Sequence, residues 1–224
     1  MTTSTADSTA KRRVFLVDDH PLVREWLTNL VNQQKDLMVC GEAEDAPRAL
    51  QAIENLQPDV AVVDVTLANG SGIELVKDVK RIAPQVAVVV LSMHDESLYA
   101  ERALRAGARG YVMKRETTKK IISAIRDVLE GRLHVSEEFK ALLTEKLLDG
   151  KTGGSPVDGL SDRELEVFRR LGQGQETRRI AEALGISIKT VQVYCARIKE
   201  KLGLANATEL LREAMRWWEA EGKG

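Results

Sequence analysis

The sequence has few cysteines, no excess of charge of either sign and no long apolar run. Its two cysteines, Cys40 and Cys195, lie far apart and match no metal-binding spacing. Neither a disulfide framework nor a zinc site is therefore expected, and a reducing compartment fits this usage. The 33 Lys and Arg residues balance 34 Asp and Glu residues, for a formal net charge of -1. Because the net charge is close to zero, the molecule as a whole is not attracted to nucleic acid. A nucleic-acid-binding surface would therefore have to be a local basic patch.

Membrane insertion and export are also not expected. No apolar run reaches the roughly 18 residues that a membrane-spanning helix needs. Residues 1–10 form a Ser, Thr and Ala segment without the apolar region of a signal peptide, and we interpret them as a disordered tail. We expect a soluble, cytoplasmic protein that contacts no membrane.

The residues that are present predict an α/β fold followed by a helical segment. Hydrophobic residues make up 43% and charged residues 30% of 224 positions, which is typical of one large or two modest globular domains. Five apolar runs predict strands at 14–17, 37–40, 60–63, 86–91 and 110–113. Helix-period segments follow them at 21–33, 46–56, 73–82, 97–106 and 118–129. This alternation predicts a doubly wound, five-stranded parallel sheet, which binds ligands beyond the carboxyl ends of its strands.

After residue 131 the strand signal ends. Residues 136–149 predict a connecting helix, and the glycines and proline of 150–156 indicate a flexible linker. Between 160 and 224 we expect four short helices. Ser161 with Glu164 has the capping-box spacing, and Ser187 can cap a helix that runs to Leu202.

Polar residues stand at the ends of four predicted strands. Asp18 and Asp19 follow the first strand, Asp64 follows the third, Ser92 the fourth and Lys114 the fifth. Two carboxylates 4 Å apart repel by about 4 kcal/mol at an effective dielectric of 20, so such a cluster requires bound protons or a cation. Oxygen ligands with open water positions favour Mg²⁺. One such residue is commonly a helix cap, but five at one sheet edge predict a phosphoryl-binding pocket around a carboxylate nucleophile.

Residues 11–133 resemble the flavodoxin-like receiver domain of two-component response regulators. The resemblance is carried by Asp18-Asp19, Asp64, Ser92 and the run from Gly110 to Lys114. It implies that Asp64 accepts a phosphoryl group from a sensor histidine kinase.

The same resemblance implies roles for the surrounding residues. Asp19 and Asp64 would bind Mg²⁺ directly, Asp18 through water, and the Thr66 carbonyl would complete the protein ligands. Lys114 would pair with a phosphoryl oxygen. Ser92 would move to bond another oxygen, and Tyr111 would turn inward behind it as the switch residue; core packing is the alternative for this tyrosine.

The C-terminal segment combines local positive charge with a helix-turn-helix pattern. From Arg169 to Lys201 there are eight basic and three acidic residues, a net charge of +5 in 33 positions. An apolar-faced helix, a glycine turn at Gly185 and a new cap at Ser187 have the form of a helix-turn-helix. The candidate DNA-contacting residues lie on the second helix: Lys189, Thr190, Gln192, Val193, Ala196 and Arg197.

This segment closely resembles the LuxR-type output domain, on the run Leu160-Ser161-Asp162-Arg163-Glu164, on Thr190-Val191 and on Lys201-Leu202-Gly203. Together the two resemblances indicate a response regulator of the NarL/FixJ class. They imply a tail at 1–10, a receiver at 11–133, a linker helix and flexible linker at 134–158, and the output domain at 159–224. They also imply promoter DNA as a ligand and a homodimer on activation, with RNA polymerase as a further candidate partner.

Two other function classes stay open from the sequence. A Mg²⁺-dependent phosphohydrolase also uses an aspartate after a strand, but the haloacid-dehalogenase-like pattern expects a second aspartate where this chain has Thr66. A regulator that never uses phosphate is the third class. We expect a transcription factor rather than an enzyme.

Overall fold

In a computed structural model, the described residues are 10–67, 70–93, 96–148 and 156–221. Residues 1–9 of the predicted tail and 150–155 of the predicted flexible linker lie outside them. The chain divides into two compact units between Thr144 and Glu145. No helix among the described residues is both long and apolar enough to cross a membrane.

The first unit is an α/β layer structure. Its main strands are β1 (Arg12–Val17), β2 (Leu37–Ala43), β3 (Val60–Asp64), β6 (Ala87–Ser92) and β7 (Gly110–Met113). They form one parallel sheet in the order β2-β1-β3-β6-β7. Two further strands, β4 (Thr66–Leu67) and β5 (Gly70–Ser71), pair antiparallel beside it. The predicted five-stranded parallel sheet is confirmed, whereas two-residue strands have no periodicity by which a sequence could show them.

Helices cover the sheet. They are α1 (Pro21–Asn32), α2 (Ala46–Leu56), α3 (Gly72–Ile82), α4 (Glu96–Ala106) and α5 (Thr118–Leu129), and α6 (Glu137–Leu148) follows them along the chain. Every residue of β3 is buried, as are Val14 to Val17 of β1. Central parallel strands are apolar throughout because helices pack on both faces. One core cluster joins the sheet to α1 and α5 through Leu16, Leu27, Val62 and Ile125.

The second unit is helical in its described part. A 3-10 turn at Pro156–Gly159 precedes α7 (Asp162–Gly172), α8 (Thr177–Leu184), α9 (Ile188–Leu202) and α10 (Ala207–Glu221). The predicted capping box at the start of α7 is present, with Glu164 Oε2 accepting from the Ser161 amide at 2.7 Å. Gly185 adopts φ +63° between α8 and α9, a left-handed conformation that glycine reaches without a Cβ penalty.

Candidate functional site

The carboxyl edge of the parallel sheet brings the predicted site residues together. Asp64 ends β3 and pairs in register with Leu91, one residue before Ser92. Asp18 directly follows β1, and Lys114 directly follows β7. Because parallel strands end at one edge, residues up to 96 positions apart share one crevice.

Lys114 bridges two of the carboxylates. Its Nζ atom donates to Asp18 Oδ2 at 2.6 Å and to Asp64 Oδ2 at 2.7 Å. The Asp18 and Asp64 side chains are only 2% and 6% exposed, and that of Lys114 is 10% exposed. Two buried anions therefore share one cation, and the trio keeps an excess of negative charge.

This imbalance changes the protonation of the central carboxyl. Burial raises the pKa of Asp64 to about 6, against the attraction of Lys114 and with added repulsion from Asp18. The Thr66 amide donates a hydrogen bond to the Asp64 carboxylate and works against that rise. For Lys114, burial favours the neutral amine, but the two aspartates outweigh it and raise its pKa. The crevice thus holds a cationic lysine beside a carboxyl that is costly to ionise.

Asp19 completes the acidic cluster. Its Oδ1 atom is buried and has no hydrogen-bond partner among the described residues, although His20 Nδ1 lies 2.6 Å away. Ligand atoms of Asp18, Asp19, His20 and Asp64 lie within 4.8 Å of one another. Carboxylate oxygens clustered this closely suit a hard cation such as Mg²⁺, so the residues present fit the expected metal. His20 fills the N-cap position of α1, and its ring is largely exposed.

Two residues that hold the acidic cluster in place were not predicted from the sequence. Arg24 Nη1 donates to the Asp18 carbonyl at 2.6 Å and holds the acidic loop from α1. Gly72 packs its backbone so closely on Asp64 that a Cβ atom there would overlap the Asp64 carbonyl oxygen. The Gly72 amide also donates to the Val65 carbonyl at 2.8 Å. A glycine after β3 was the available signal, but a lone glycine also suits an ordinary turn.

Ser92 and Tyr111 lie on neighbouring strands beside the crevice. Ser92 is fully buried, and its carbonyl accepts from the Lys114 amide at 2.7 Å. Tyr111 is only 1% exposed, so its ring already lies inside the domain. This position agrees with both the inward switch state and the core alternative.

The predicted recognition helix, α9, presents most of its candidate residues to solvent. Val191 and Ile198 are buried, whereas Lys189, Gln192, Val193, Ala196 and Arg197 are exposed. Thr190 is half-buried, and its hydroxyl lies 2.8 Å from Ser187 Oγ at the helix cap.

The local charge count overstated the free positive charge. Glu166, just before the counted window, binds Arg169 and Arg170 at 3.0 and 2.7 Å. Glu164 binds Lys201 at 2.6 Å. Lys189 and Arg197 are the exposed basic residues on the outer face of α9.

Comparison with known proteins identifies both units. Residues 14–126 match the response regulator receiver domain, and residues 158–214 match the bacterial regulatory proteins of the luxR family. The response regulator GacA of Pseudomonas aeruginosa is 32% identical over 204 residues, which cover 91% of this chain and 95% of GacA. The chain belongs to the two-component response regulators. Its two domains place it in the NarL/FixJ class, whose members are phosphorylatable, DNA-binding transcription regulators rather than classical enzymes.

Other relatives agree with this assignment. The DNA-binding transcriptional activator DevR/DosR of Mycobacterium tuberculosis is 34% identical, covering 88% of this chain and 91% of its own length. RcsB of Salmonella enterica serovar Typhimurium, solved on promoter P1flhDC with the phosphomimetic BeF3-, is 27% identical. That match has a TM-score of 0.57 and covers 92% of this response regulator and 98% of the RcsB chain.

Proposed function

We propose that Asp64 is the phosphoacceptor of this response regulator and that a sensor histidine kinase is the donor. The observation that carries the proposal is the buried Lys114 contact to Asp18 and Asp64 beside the Asp19 carboxylate. An Asp64 carboxylate oxygen attacks the phosphorus of a phosphohistidine. The P–N bond breaks, its electron pair returns to the imidazole, and an aspartyl phosphate forms.

The pocket residues stabilise the transferred group. Lys114 can turn from the carboxylates to a phosphoryl oxygen, and the Ser92 hydroxyl can donate to another. Asp19, Asp64 and the Thr66 carbonyl would hold Mg²⁺, with Asp18 acting through water. When bound, this ion supplies the positive charge that offsets the carboxylates and the phosphoryl oxygens.

Labelling with acetyl phosphate tests this assignment. Wild-type protein should gain one phosphoryl group by intact mass in Mg²⁺ and none in EDTA, and Asp64→Asn should gain none. Asp78→Asn, which changes a half-exposed carboxylate paired with Arg81 on α3, is the matched control and should label like wild type. Undiminished labelling of Asp64→Asn would reject Asp64 as the acceptor.

We infer that α9 is the recognition helix for promoter DNA. Its exposed face pairs Lys189 and Arg197, suited to phosphates, with Gln192 and Val193, suited to base edges; Ala196 leaves room for close approach. RcsB structures with DNA include two dimers on two parallel DNAs, which supports DNA binding by a dimer in this class.

Binding titrations separate the two kinds of contact. Lys189→Ala should weaken binding to all sequences and lower the salt slope by about one unit. Gln192→Ala should relax preference at one base position by roughly 1–3 kcal/mol. Lys119→Ala, an exposed lysine of the receiver, is the control for Lys189. An equal loss on every sequence from Gln192→Ala would contradict the division of roles.

A further inference from the structure

The chain that leaves the receiver docks on its last strand before α6 begins. The Tyr111 amide donates to the His134 carbonyl at 2.9 Å, and the His134 amide donates to the Arg109 carbonyl at 2.9 Å. Val135 and Phe139 are 6% and 3% exposed, so both pack into the domain. The first turn of α6 is therefore attached to the receiver.

This helix start is capped from another helix. Ser136 Oγ accepts from the Phe139 amide at 3.0 Å, which makes Ser136 the N-cap of α6. A capping box needs Glu or Gln at the position that Phe139 occupies. The missing carboxylate comes from α4, because Glu96 Oε1 accepts from the Ser136 amide at 2.8 Å across 40 residues of sequence. Helix α7, in contrast, closes its box with its own Glu164.

The Glu96 carboxylate is too buried for water to replace its hydrogen bond from the Ser136 amide readily. Glu96 is only 8% exposed, and it lies near the N-termini of both α4 and α6, where helix dipoles favour negative charge. A buried carboxylate that loses its donor retains the full penalty of its desolvation. The Glu96 to Ser136 bond therefore ties the first turn of α6 to the first residue of α4.

Both contacts of this segment involve residues that are at, or close along the chain to, the predicted switch residues Ser92 and Tyr111. Glu96 stands four residues after Ser92 along the chain, and Tyr111 supplies the amide bonded to His134. Because only three residues separate Ser92 from Glu96 along the chain, a change in the position of Ser92 can alter the Glu96 to Ser136 distance. Helix α6 in turn continues along the chain toward the DNA-binding unit.

We propose that Glu96 is a positioning residue that transmits the state of the Asp64 pocket to the first turn of α6. The inference rests on the proposed phosphoacceptor role of Asp64. In the resting protein Glu96 holds the Ser136 amide, and a phosphoryl group that draws in Ser92 weakens that hold. The first turn of α6 then opens more often.

Amide hydrogen exchange on the full-length protein tests the proposal, with beryllofluoride and Mg²⁺ as the phosphoryl mimic. In the resting state, Glu96→Ala should raise exchange at the first turn of α6 by about tenfold, the equivalent of one hydrogen bond to a charged group. Glu96→Gln retains an acceptor oxygen and should restore most of the protection. Glu138→Ala, an exposed acid in the same turn, is the control and should exchange like wild type.

The response to beryllofluoride distinguishes coupling between the Asp64 pocket and α6 from a purely local stabilisation of α6 by Glu96. Beryllofluoride should raise the amide exchange rate of the first turn of α6 at least threefold in wild type and in Glu138→Ala. In Glu96→Ala, where this turn already exchanges fast, the rate should not change. Fluorine NMR reports independently whether each protein binds the mimic. If all bind it and wild type shows no change in α6, or Glu96→Ala responds like wild type, the coupling proposal is overturned alone. If wild type binds no mimic and gains no phosphoryl group, the phosphoacceptor proposal fails, and this one with it.

Discussion

At the scale of single residues, the chemistry depends on how the fold shares one lysine between two aspartates. Asp18 and Asp64 are each bonded to Lys114, and both lose most of their contact with water. A substitution at Lys114 would leave two buried carboxylates without a cation. Such uncompensated burial is far more damaging than the loss of an exposed ion pair.

The raised pKa of Asp64 predicts a pH dependence of stability. Its folded-state pKa of about 6 lies above the ordinary value of 3.8, so the folded protein binds this proton more tightly than the unfolded chain does. The penalty for ionising Asp64 is absent below about pH 4 and increases toward pH 6, by about 1.4 kcal/mol for each pH unit between these two pKa values. In EDTA, Asp64→Asn should therefore gain stability over wild type as pH rises.

Urea unfolding at pH 4.5 and 7.5 measures this difference. Mg²⁺ should reduce it by stabilising the ionised wild-type site. Asp78→Asn, which changes a half-exposed carboxylate, serves again as the control. A difference between Asp64→Asn and wild type that is the same at both pH values would contradict the assigned burial of a charged Asp64.

At the scale of secondary-structure elements, the start of α3 packs against the end of β3. Ser71 caps α3, with its Oγ accepting from the Ile73 amide at 3.1 Å, and Gly72 lies against the Asp64 carbonyl. Because this contact is backbone on backbone, an added methyl group has no flexible neighbour to displace.

Gly72→Ala should therefore destabilise the receiver by about 1–3 kcal/mol, as expected for overpacking, and slow the labelling of Asp64. Thermal unfolding and a time course with acetyl phosphate measure the two effects. Gly159→Ala is the matched control, because a Cβ atom there meets nothing within 4 Å. Equal stability of Gly72→Ala and Gly159→Ala would show that the loop adjusts more freely than this packing indicates.

The helices also show what a local charge count can miss. The arginines at the end of α7 bind Glu166 on the same helix, three and four residues before them. Lys201 of α9 binds Glu164 of α7 and fastens the two helices together. Burial raises the Glu164 pKa, but the hydrogen bonds from Lys201 and Ser161 together exceed that effect and lower it. These cations stabilise the domain, and the outer face of α9 retains Lys189 and Arg197.

At the scale of the whole molecule, phosphorylation must alter a DNA-binding unit that is joined to the receiver through α6. One helix-turn-helix module reads a short site, whereas a two-fold dimer reads two half-sites about one helical turn apart. Moving an equilibrium from 1:99 to 99:1 requires about 5.5 kcal/mol of differential stabilisation. In the proposed pocket, the contacts of a phosphoryl group with Lys114 and Ser92 would contribute to this difference.

Phosphorylated protein should accordingly dimerise and bind two-half-site DNA much more tightly than unphosphorylated protein. Ser92→Ala should weaken this coupling while Asp64 is still labelled. Sedimentation and DNA titration, each with and without beryllofluoride, measure both effects. Identical mass and affinity in the two states would reject gating and leave a constitutive regulator.

The sequence by itself determined the α/β class, the helical second unit and the membership of the acidic crevice. Strand-long apolar runs such as 60–63 predict buried parallel strands, and the topology of such sheets places Asp18, Asp64, Ser92 and Lys114 at one edge. The spacing of Ser161 and Glu164 was enough to predict the cap of α7, because both partners lie within one helical turn.

Only the tertiary structure shows which residues these side chains contact. Lys114 binds two aspartates, one of them 96 positions away, and Glu96 caps a helix 40 positions further on. Gly72 also meets the Asp64 carbonyl only after the loop between them folds back. Such contacts depend on distances and burial between remote segments, which periodicity does not encode. Because desolvation follows from that burial, the pKa of Asp64 was also beyond the reach of the sequence.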